Sequence, residues 1–271
     1  MPEIQEIFRD YFEEYKTKNV VSSHQDKMIK NVINCRTEKM GIRIQKCDDC
    51  GYDETSYCSC RNRNCPKCQT FVKEVWINNR KAELINTQYF HVIFTVPSEL
   101  ETIFLGNQEL MYKMLFKAVS ETLLELGADD KHVGGQIGAL LILHTWAQNL
   151  TFHGHCHSLI PGGALKNNQW KSCKKDYFIS VEILSTVFKN KFLDLFEKAF
   201  LANEIKFCKE NERLYSKYFF KGFKDMLYKK SWYSYCTETF DSPEAVIEYL
   251  GRYTNRIAIS NNRILKVENG Y

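Results

Sequence analysis

The chain has 271 residues, of which 44% are hydrophobic and 14% aromatic, so it can bury one large core or a core and a smaller second domain. The formal net charge of +4 points to no class of partner, although basic residues cluster near the N-terminal cysteines, at Lys221–Lys230 and at Arg252–Arg263. There is no apolar signal region and no apolar run of membrane-spanning length, which excludes a transmembrane protein. We therefore expect a cytoplasmic protein in a reducing compartment.

The first part of the chain is predicted to be helical around a cysteine-rich segment. The spacing of apolar residues predicts a helix up to about residue 25 and a second helix over about Gln25–Cys35. The cysteine-rich segment then continues to about Gln69. The mixed-charge stretch FVKEVWINNRKAELI follows it and predicts a helix that connects two units.

Seven of the eleven cysteines lie in that short segment, which indicates metal ligands rather than disulfides in a reducing compartment. Cys47-x2-Cys50 and Cys65-x2-Cys68 are separated by 14 residues. Two such knuckles can place four thiolates tetrahedrally around one zinc ion, so the sequence predicts a structural zinc there. Four further residues would suffice for a second zinc site, or would pack as small or buried side chains instead: His24, Cys35, Cys58 and Cys60.

Basic residues accompany the second knuckle. The stretch CRNRNCPKC places Arg61, Arg63 and Lys67 on it. A zinc ribbon with such residues commonly contacts nucleic acid, and the alternative is that these charges only solvate the surface. We predict these three as DNA-binding residues, together with Arg252 and Arg256 near the C-terminus.

The remainder of the chain mixes strands and helices. YFHVIFTVP, IGALLILHTW, HGHCHSLIPGG and SWYSYCTETF predict strands, and MYKMLFKAVSETLLELG predicts an amphipathic helix. A long helix is predicted over about Ser180–Tyr215, another from Pro243, and a hairpin about Asn261–Asn262. Because strands and helices do not alternate strictly, an α+β fold with mainly antiparallel pairing is favoured.

Three histidines occupy alternate positions in TFHGHCHSLIPGG. Alternate side chains of a strand share one face about 6.5–7 Å apart, so His153, His155 and His157 would project together. Two imidazoles at that separation can both bind one cation, and three on one face are hard to explain as core packing. Gln148 would add an amide oxygen, with His144 and His153 as competing third ligands. Such a mixed, open site suits Mg²⁺ or Mn²⁺ bridging a substrate phosphate.

Tyr249 and Tyr253 lie four residues apart in SPEAVIEYLGRYTNR, so on a helix their phenols would share one face. By itself this spacing is more often core packing. Gly251 lies in the middle of the predicted helix at a cost of about 1 kcal/mol, which makes sense where a backbone or ligand approaches closely. Arg252 and Arg256 flank the phenols. The histidine site also has no nucleophile unless these tyrosines supply one.

The motifs in their order form a recognisable set. CxxC with SCRNRNCPKCQ, then FTVP, then HTWAQNLTFHGHCHSLIPGG, then YLGRYTNRIAIS resembles the two-tyrosine rolling-circle transposases of bacterial insertion sequences, the insertion-sequence 91 group. These belong to the HUH endonucleases, named for a histidine–hydrophobic–histidine motif. The resemblance covers about Cys35 to Arg263. It implies an HUH-type nuclease core at 89–271, with a connecting helix at 76–88 and N-terminal helices with a zinc ribbon at 1–75.

The resemblance assigns roles to individual residues. His155-Cys156-His157 matches the HUH motif, with cysteine in the hydrophobic place, and Gln148 matches a third metal-binding position of related replication nucleases. Tyr249 and Tyr253 match the paired nucleophiles. The catalytic set is therefore Tyr249, Tyr253, His155, His157 and Gln148.

The chain departs from the family's usual text at two places. Asn64 stands where a histidine often precedes the third zinc cysteine, and His153-Gly154 replaces a more usual His-Pro. Neither change affects the catalytic set. Such transposases also generally continue beyond the C-terminal hairpin, so we expect a truncated chain or a short member.

The resemblance implies a single-stranded-DNA transposase that nicks and rejoins DNA through a 5′-phosphotyrosine intermediate in rolling-circle transposition. It implies one or two structural Zn²⁺ ions, a catalytic Mg²⁺ or Mn²⁺, and single-stranded DNA at transposon ends, including hairpins, as the partner. It also implies a location at the bacterial nucleoid and no membrane partner. The oligomeric state, the native catalytic metal and the order of the two tyrosines stay open.

Other functions are compatible with the same residues. A plasmid rolling-circle replication initiator or relaxase uses the same chemistry, although the zinc ribbon favours a transposase. A non-catalytic zinc-ribbon DNA-binding regulator would bind metal only in the cysteine segment. A zinc hydrolase that used the three histidines would lack a general-base carboxylate beside them.

Overall fold

Residues 3–147, 149–173, 179–238, 242–254 and 261–267 are described by a computed structural model of the chain, without the side chains of 237, 238, 252–254 and 262. Two units are distinguished, Met1–Arg80 with Gly251–Tyr271, and Lys81–Leu250. We call the first the zinc unit, for the cysteine cluster described below, and the second the sheet unit, for its four-stranded sheet. The domain boundaries given above from the sequence stay a prediction.

The zinc unit begins with two helices, α1 (Ile4–Lys18) and α2 (Ser23–Asn34). The first ends earlier than the predicted residue 25, because Ser22 caps a new helix. The Ser22 side chain accepts the backbone N–H of Gln25, and the Gln25 side chain accepts the N–H of Ser22 in return. This reciprocal pair satisfies donors that a helix start leaves without helical partners.

A hairpin and a third helix follow. Strands β1 (Ile42–Lys46) and β2 (Asp53–Tyr57) pair antiparallel, with Ile42 opposite Tyr57 and Lys46 opposite Asp53, and all their residues are exposed. Helix α3 (Pro66–Ala82) starts at a proline, which needs no backbone donor in the first turn.

The sheet unit contains a four-stranded sheet in the order β4 (Leu140–Trp146), β5 (Phe152–Pro161), β3 (Tyr89–Thr95) and β8 (Ser234–Glu238). All three pairings are antiparallel. The predicted α+β class with an antiparallel sheet is therefore confirmed. A short hairpin of β6 (Gly163–Lys166) and β7 (Gln169–Ser172), which the sequence did not predict, forms a separate sheet.

One face of this sheet carries the main hydrophobic core. Alternate residues such as Phe94 and Cys156 are fully buried, and the ring of Phe94 lies 5.0 Å from that of Phe188. The core is completed by residues of the helices α4 (Glu101–Gly106), α5 (Gln108–Ala128), α6 (Val181–Leu201) and α7 (Lys217–Lys229). Because side chains alternate along each strand, the other residues of the strands face the opposite side.

The structure shortens one predicted helix. The helix predicted over Ser180–Tyr215 ends at Leu201 and is followed by a 3₁₀ segment, Lys209–Tyr215, before the unpredicted α7. Helix α8 (Pro243–Thr254) starts as predicted. Of the C-terminal hairpin, residues 255–260 lie outside the description, and Asn261–Arg263 form a 3₁₀ turn. No helix in the described ranges combines the length and apolarity that crossing a membrane requires.

Candidate active site and zinc centre

Three histidines meet on the sheet face opposite the main core. His155 and His157 alternate along β5, and His144 of β4 is paired directly with His155 in the strand register. Directly paired residues of antiparallel strands present their side chains on the same face. One nitrogen atom from each ring can be chosen so that all three lie within 4.8 Å of one another. We call these three residues the histidine cluster.

The ring of His155 is oriented by hydrogen bonds on both nitrogens. Its Nδ1 lies 2.8 Å from the carbonyl oxygen of His153, and its Nε2 lies 2.8 Å from Nδ1 of His144. A carbonyl only accepts, so Nδ1 of His155 carries the proton and Nε2 holds the lone pair. This is the tautomer that a metal-binding histidine needs when its other nitrogen bonds a backbone carbonyl.

A fourth histidine, His91 of β3, supports His157. Nε2 of His91 lies 2.9 Å from Nδ1 of His157, and the two rings stack with their centroids 5.2 Å apart. If Nδ1 of His157 donates this hydrogen bond, its Nε2 keeps the lone pair for a cation. The sequence interpretation missed His91, although a polar residue inside the apolar run YFHVIFTVP was a signal that could have found it.

Burial keeps these imidazoles neutral. It lowers the pKa of His144 to about 3, of His155 to about 4, of His157 to about 2 and of His91 to about 4, and neighbouring histidines add to the shift within the cluster. Neutral imidazoles have lone pairs to offer at pH 7, so the donor set fits a divalent cation. Three nitrogen ligands favour transition metals more than the mixed nitrogen and oxygen set predicted with Gln148.

The other candidates for the third ligand are placed differently. His153 lies beside the cluster, with its ring 4.9 Å from that of His155, but the group of three converging ligands contains His144 instead. Gln148 lies outside the described residues. Its predicted role as a ligand therefore stays a prediction.

Tyr249 of α8 lies next to the histidines. Its ring centroid is 6.3 Å from that of His157 and 6.4 Å from that of His91, edge-on to both, and the residue is 41% exposed. Ser242 helps to start this helix, because its Oγ accepts the backbone N–H of Ala245 at 3.2 Å. A partly exposed phenol beside buried imidazoles can be reached by a substrate.

The structure gives Gly251 a packing reason. A Cβ atom there would lie 2.5 Å from Cγ1 of Ile77 in α3, so only glycine allows this close approach without a shift. The backbone of Tyr253 and Arg252 lies in α8, while their side chains, and Arg256 as a whole, are outside the description. The predicted roles of these three stay predictions.

Four cysteines converge in the zinc unit. Cys35, Cys60, Cys65 and Cys68 offer sulfur atoms within 4.8 Å of one another. The Sγ of Cys68 lies 3.5 Å from that of Cys35 and 3.6 Å from that of Cys60. A tetrahedral zinc with bonds of about 2.3 Å places its sulfurs roughly 3.8 Å apart, so this cluster fits a zinc ion. We call it the cysteine cluster.

This grouping corrects the predicted ligand set of Cys47, Cys50, Cys65 and Cys68. The CxxC spacing indicates that Cys65 and Cys68 share a site, but it does not determine their partners. Cys47 and Cys50 lie instead at the turn of the β1–β2 hairpin, which is closed by the N–H of Cys47 donating to the carbonyl of Tyr52. Hydrogen bonds from the backbone of Cys50 and Asp49 lower the pKa of Cys47.

The second predicted site is also regrouped. Its members Cys35 and Cys60 belong to the cysteine cluster, while Cys58 lies at the open end of the hairpin, where its N–H donates to the carbonyl of Gly41. His24 is in the first turn of α2, and Cys35 caps the other end of that helix. The two residues lie eleven positions apart along the helix, which is a rise of about 16 Å and too far for both to bind one ion.

The predicted DNA-binding residues of this unit differ in availability. Arg61 and Arg63 are exposed. The Nζ of Lys67 lies 2.6 Å from a carboxylate oxygen of Glu3 and 2.6 Å from Oε1 of Gln5. Lys67 is therefore engaged within the protein.

In a comparison with known proteins, two parts of the chain match models of protein families. Residues 138–271 match the model described as "Putative transposase", and residues 7–96 match the "Transposase zinc-binding domain". "Putative transposase y4qJ" of Sinorhizobium fredii (strain NBRC 101917 / NGR234) is 40% identical over 272 residues, covering 99% of this chain and 68% of its own. "Transposase for insertion sequence element IS801" of Pseudomonas savastanoi pv. phaseolicola is 26% identical over 147 residues, which are 53% of this chain and 35% of its own.

These matches, together with the cysteine cluster, define the class as a transposase with a zinc-binding domain. The chain belongs to the insertion-sequence 91 type of transposases, and the resemblance seen in its motifs is confirmed.

Solved structures of a conjugative relaxase also align with part of the chain. The metal-bound structure of TrwC in complex with oriT DNA aligns with this chain at 13% sequence identity and a TM-score of 0.33. The alignment covers 62% of this chain and 71% of the TrwC chain. TrwC with a 27-mer DNA comprising the recognition hairpin and the cleavage site matches 60% and 71%, at 17% identity and a TM-score of 0.32. Scores this low define no shared fold.

Proposed function

We propose that this transposase nicks and rejoins single-stranded DNA through a 5′-phosphotyrosine, with Tyr249 as a nucleophile. The observation that carries the proposal is the ring of Tyr249 lying 6.3 Å from that of His157, beside three imidazoles whose ligand atoms converge within 4.8 Å. A phenol next to a cation-binding cluster supplies the two parts that cleavage of a phosphodiester by a tyrosine requires. The match to transposase families supports the DNA substrate.

The reaction we propose is an in-line displacement. The Tyr249 phenol gives up its proton to water and its oxygen forms a bond to phosphorus while the bond from phosphorus to the 3′ oxygen breaks. The leaving oxygen takes up a proton from water and becomes a 3′-hydroxyl. The phosphotyrosine retains the bond energy, so rejoining needs no ATP. We propose that Tyr253, one helical turn further on, holds the second strand end during exchange. A tyrosine pKa is ordinarily about 10, so the phenol needs cationic neighbours, for which we propose Arg252 and Arg256.

The metal site we propose consists of His144, His155 and His157, with Gln148 as an additional oxygen ligand. When bound there, a divalent cation would polarise the scissile phosphate and stabilise negative charge on its oxygens. His91 and the carbonyl of His153 orient two of the imidazoles. Because imidazoles suit transition metals better than Mg²⁺, we propose that Mn²⁺ supports the reaction at lower concentrations than Mg²⁺.

The zinc-binding domain and the family favour a transposase over a plasmid replication initiator or relaxase. We propose that residues 1–75 recognise the transposon end, including a hairpin. We propose that residues 89–271 carry out the chemistry and that residues 76–88 form a helix that connects these two domains. The bacterial relatives support action at the nucleoid of a bacterial cytoplasm. A non-catalytic regulator would share the zinc site but would form no covalent DNA product.

The test is an SDS-resistant protein–DNA band after incubation with labelled single-stranded oligonucleotides and Mn²⁺. Tyr249→Phe should abolish the band while leaving DNA affinity unchanged, because it removes only the attacking oxygen. Tyr218→Phe, an 81% exposed tyrosine of α7, is the matched control and should retain the band.

The remaining tyrosine variants separate the alternatives. If Tyr249→Phe and Tyr253→Phe each retain the band but the double variant loses it, the two nucleophiles are interchangeable. A band that persists in the double variant would refute the tyrosine mechanism.

A further inference from the structure

We propose that the zinc unit binds the phosphate backbone of single-stranded DNA in a groove between Arg36, Arg43 and Arg61, an assignment that rests on the proposed function. The groove encloses a cavity of about 690 Å³. Besides the three arginines, it is lined by the consecutive residues Ser56, Tyr57, Cys58 and Ser59, and none of its lining residues is acidic. We call it the arginine groove.

Two of these arginines adopt a backbone conformation that arginine rarely takes. Arg36 and Arg61 have φ angles of 57° and 50°, in the left-handed region that favours glycine or asparagine. Each directly follows a cysteine of the cysteine cluster, Cys35 or Cys60. Residues held in such conformations cost of order 1–3 kcal/mol and concentrate at functional sites. Long cations at two such positions indicate that their side chains are used.

The third arginine reaches the groove from a separate segment. Arg43 lies on β1 opposite Ser56 of β2, and both belong to the exposed hairpin. The cysteine cluster fixes the segments of Arg36 and Arg61, and the hairpin register fixes Arg43. The three guanidinium groups are thus brought to one concave surface by the fold and not by sequence proximity.

The arginines of the groove are not among the ion-paired cations in the described residues of the zinc unit. Five lysines of this unit are ion-paired with nearby carboxylates: Lys16, Lys18, Lys30, Lys67 and Lys73. Within the described part of the chain, no carboxylate lies within ion-pairing distance of Arg36, Arg43 or Arg61. An unneutralised cluster of guanidinium groups is suited to an anionic ligand.

The chemistry of the lining favours a nucleic-acid backbone. Guanidinium groups bind phosphates through paired hydrogen bonds, and serine hydroxyls donate to phosphate oxygens. Tyr57, which is 49% exposed, offers a ring on which an unpaired base can stack. A row of phosphates with unpaired bases uses all of these groups, whereas a single inorganic phosphate would not use the tyrosine ring.

The experiment is a fluorescence-anisotropy titration of a labelled single-stranded oligonucleotide with the zinc-loaded full chain, without Mn²⁺. The groove variant is a triple variant that combines Arg36→Asn, Arg43→Gln and Arg61→Asn. Asparagine is used at the two positions with a left-handed backbone because it tolerates that conformation, so a folding defect is not expected. The control is Arg9→Gln, Lys27→Gln, Lys39→Gln, which removes three exposed cations from the same unit. Zinc content is measured on every variant.

We expect the groove variant to bind at least about tenfold more weakly in moderate salt, and its slope of log affinity against log salt to fall by about 2, since each phosphate contact on a single strand contributes about 0.7. The control should change much less on both measures. If the groove variant retains zinc and binds DNA as the control does, the proposal is overturned. If the triple variant loses zinc, Arg36→Asn and Arg43→Gln are measured singly, and each must weaken binding.

Two competitors identify the ligand. If inorganic phosphate displaces the oligonucleotide far better than sulfate at equal ionic strength, the site is a free-phosphate site and the backbone assignment is overturned. If a duplex of the same sequence binds more tightly than the single strand and loses more affinity in the groove variant, the assignment to single strands is overturned.

The covalent-band assay separates this inference from the proposed function. A wild-type band together with unchanged DNA affinity in the groove variant would overturn the groove alone. Loss of affinity in the groove variant, with no wild-type band at saturating DNA, would overturn the proposed chemistry alone.

Discussion

The cysteine cluster and the histidine cluster are both compact sets of metal-binding side chains, yet they differ in what surrounds them. Two of the four cysteines, Cys35 and Cys65, form a small buried cluster of the zinc unit together with Val32. The histidine cluster lies on one face of a sheet whose other face carries a large core with many phenylalanines. The cysteine cluster is itself part of a small buried cluster, whereas the histidine cluster is supported by a large hydrophobic core.

This difference indicates what each metal does. A small unit without a sufficient hydrophobic core needs its metal to fold. A cluster held by an independent core, with rings oriented by hydrogen bonds, can exist before its cation binds and can leave coordination positions for a substrate. We therefore expect the zinc unit to depend on metal for its structure and the sheet unit to depend on metal only for activity.

The largest expected effect is the loss of zinc from the cysteine cluster. Cys65→Ser should release the zinc and unfold the zinc unit, because apparent binding energies of structural zinc are about 10–16 kcal/mol in small zinc-dependent peptides. Zinc content and limited proteolysis of the zinc unit measure this.

Cys50→Ser is the matched control, since Cys50 is an exposed member of the other knuckle. It should leave the zinc of the cysteine cluster in place. If Cys50→Ser and Cys65→Ser lose zinc and unfold to the same extent, the ligand set would instead be the one predicted from the sequence, Cys47, Cys50, Cys65 and Cys68.

The next effect concerns the histidine cluster. His155→Ala should abolish the Mn²⁺-dependent covalent band while the sheet unit stays folded, because the main core lies on the other face of the sheet. Thermal unfolding and the band assay are measured together, with His132→Ala outside the cluster as control. Unfolding of the sheet unit in His155→Ala would remove the contrast between the two clusters.

A smaller effect is expected at His91, which bonds His157 but is not in the group of converging ligands. His91→Gln should weaken Mn²⁺ binding about 10- to 100-fold, as is usual when a hydrogen-bond partner of a metal-binding histidine is removed. Calorimetric titration with Mn²⁺ measures this, and His132→Gln is the control. Unchanged affinity would mean that the sheet alone orients His157.

The smallest effect compares one helix glycine from each unit. Gly222→Ala in α7 should stabilise the sheet unit by about 0.5–1 kcal/mol, because alanine is the better helix former and an added Cβ meets no atom within 4 Å. Gly251→Ala should destabilise the zinc unit by about 1–3 kcal/mol, because its Cβ would overlap Ile77. Denaturant unfolding measures both, and equal shifts of the same sign would contradict the packing difference.

Local patterns predicted the elements of the site well. The alternation in HGHCHSLIPGG placed His155 and His157 on one face, and the strand in YFHVIFTVP formed as expected. Predictions that required knowledge of distant partners were less successful, as with Cys47 and Cys50. The helix predicted to continue to Tyr215 ended at Leu201, because apolar spacing does not mark where tertiary packing stops a helix.

The sequence by itself determined the class of transposase, the shared face of His155 and His157, and the common site of Cys65 and Cys68, because these depend on short-range geometry and on motif order. Only the tertiary structure decided that Cys35 and Cys60 complete the cysteine cluster and that His144 and His91 join the histidines. It also decided that Tyr249 lies beside them. Strand register and helix packing fix those contacts, and both depend on residues far apart in the chain.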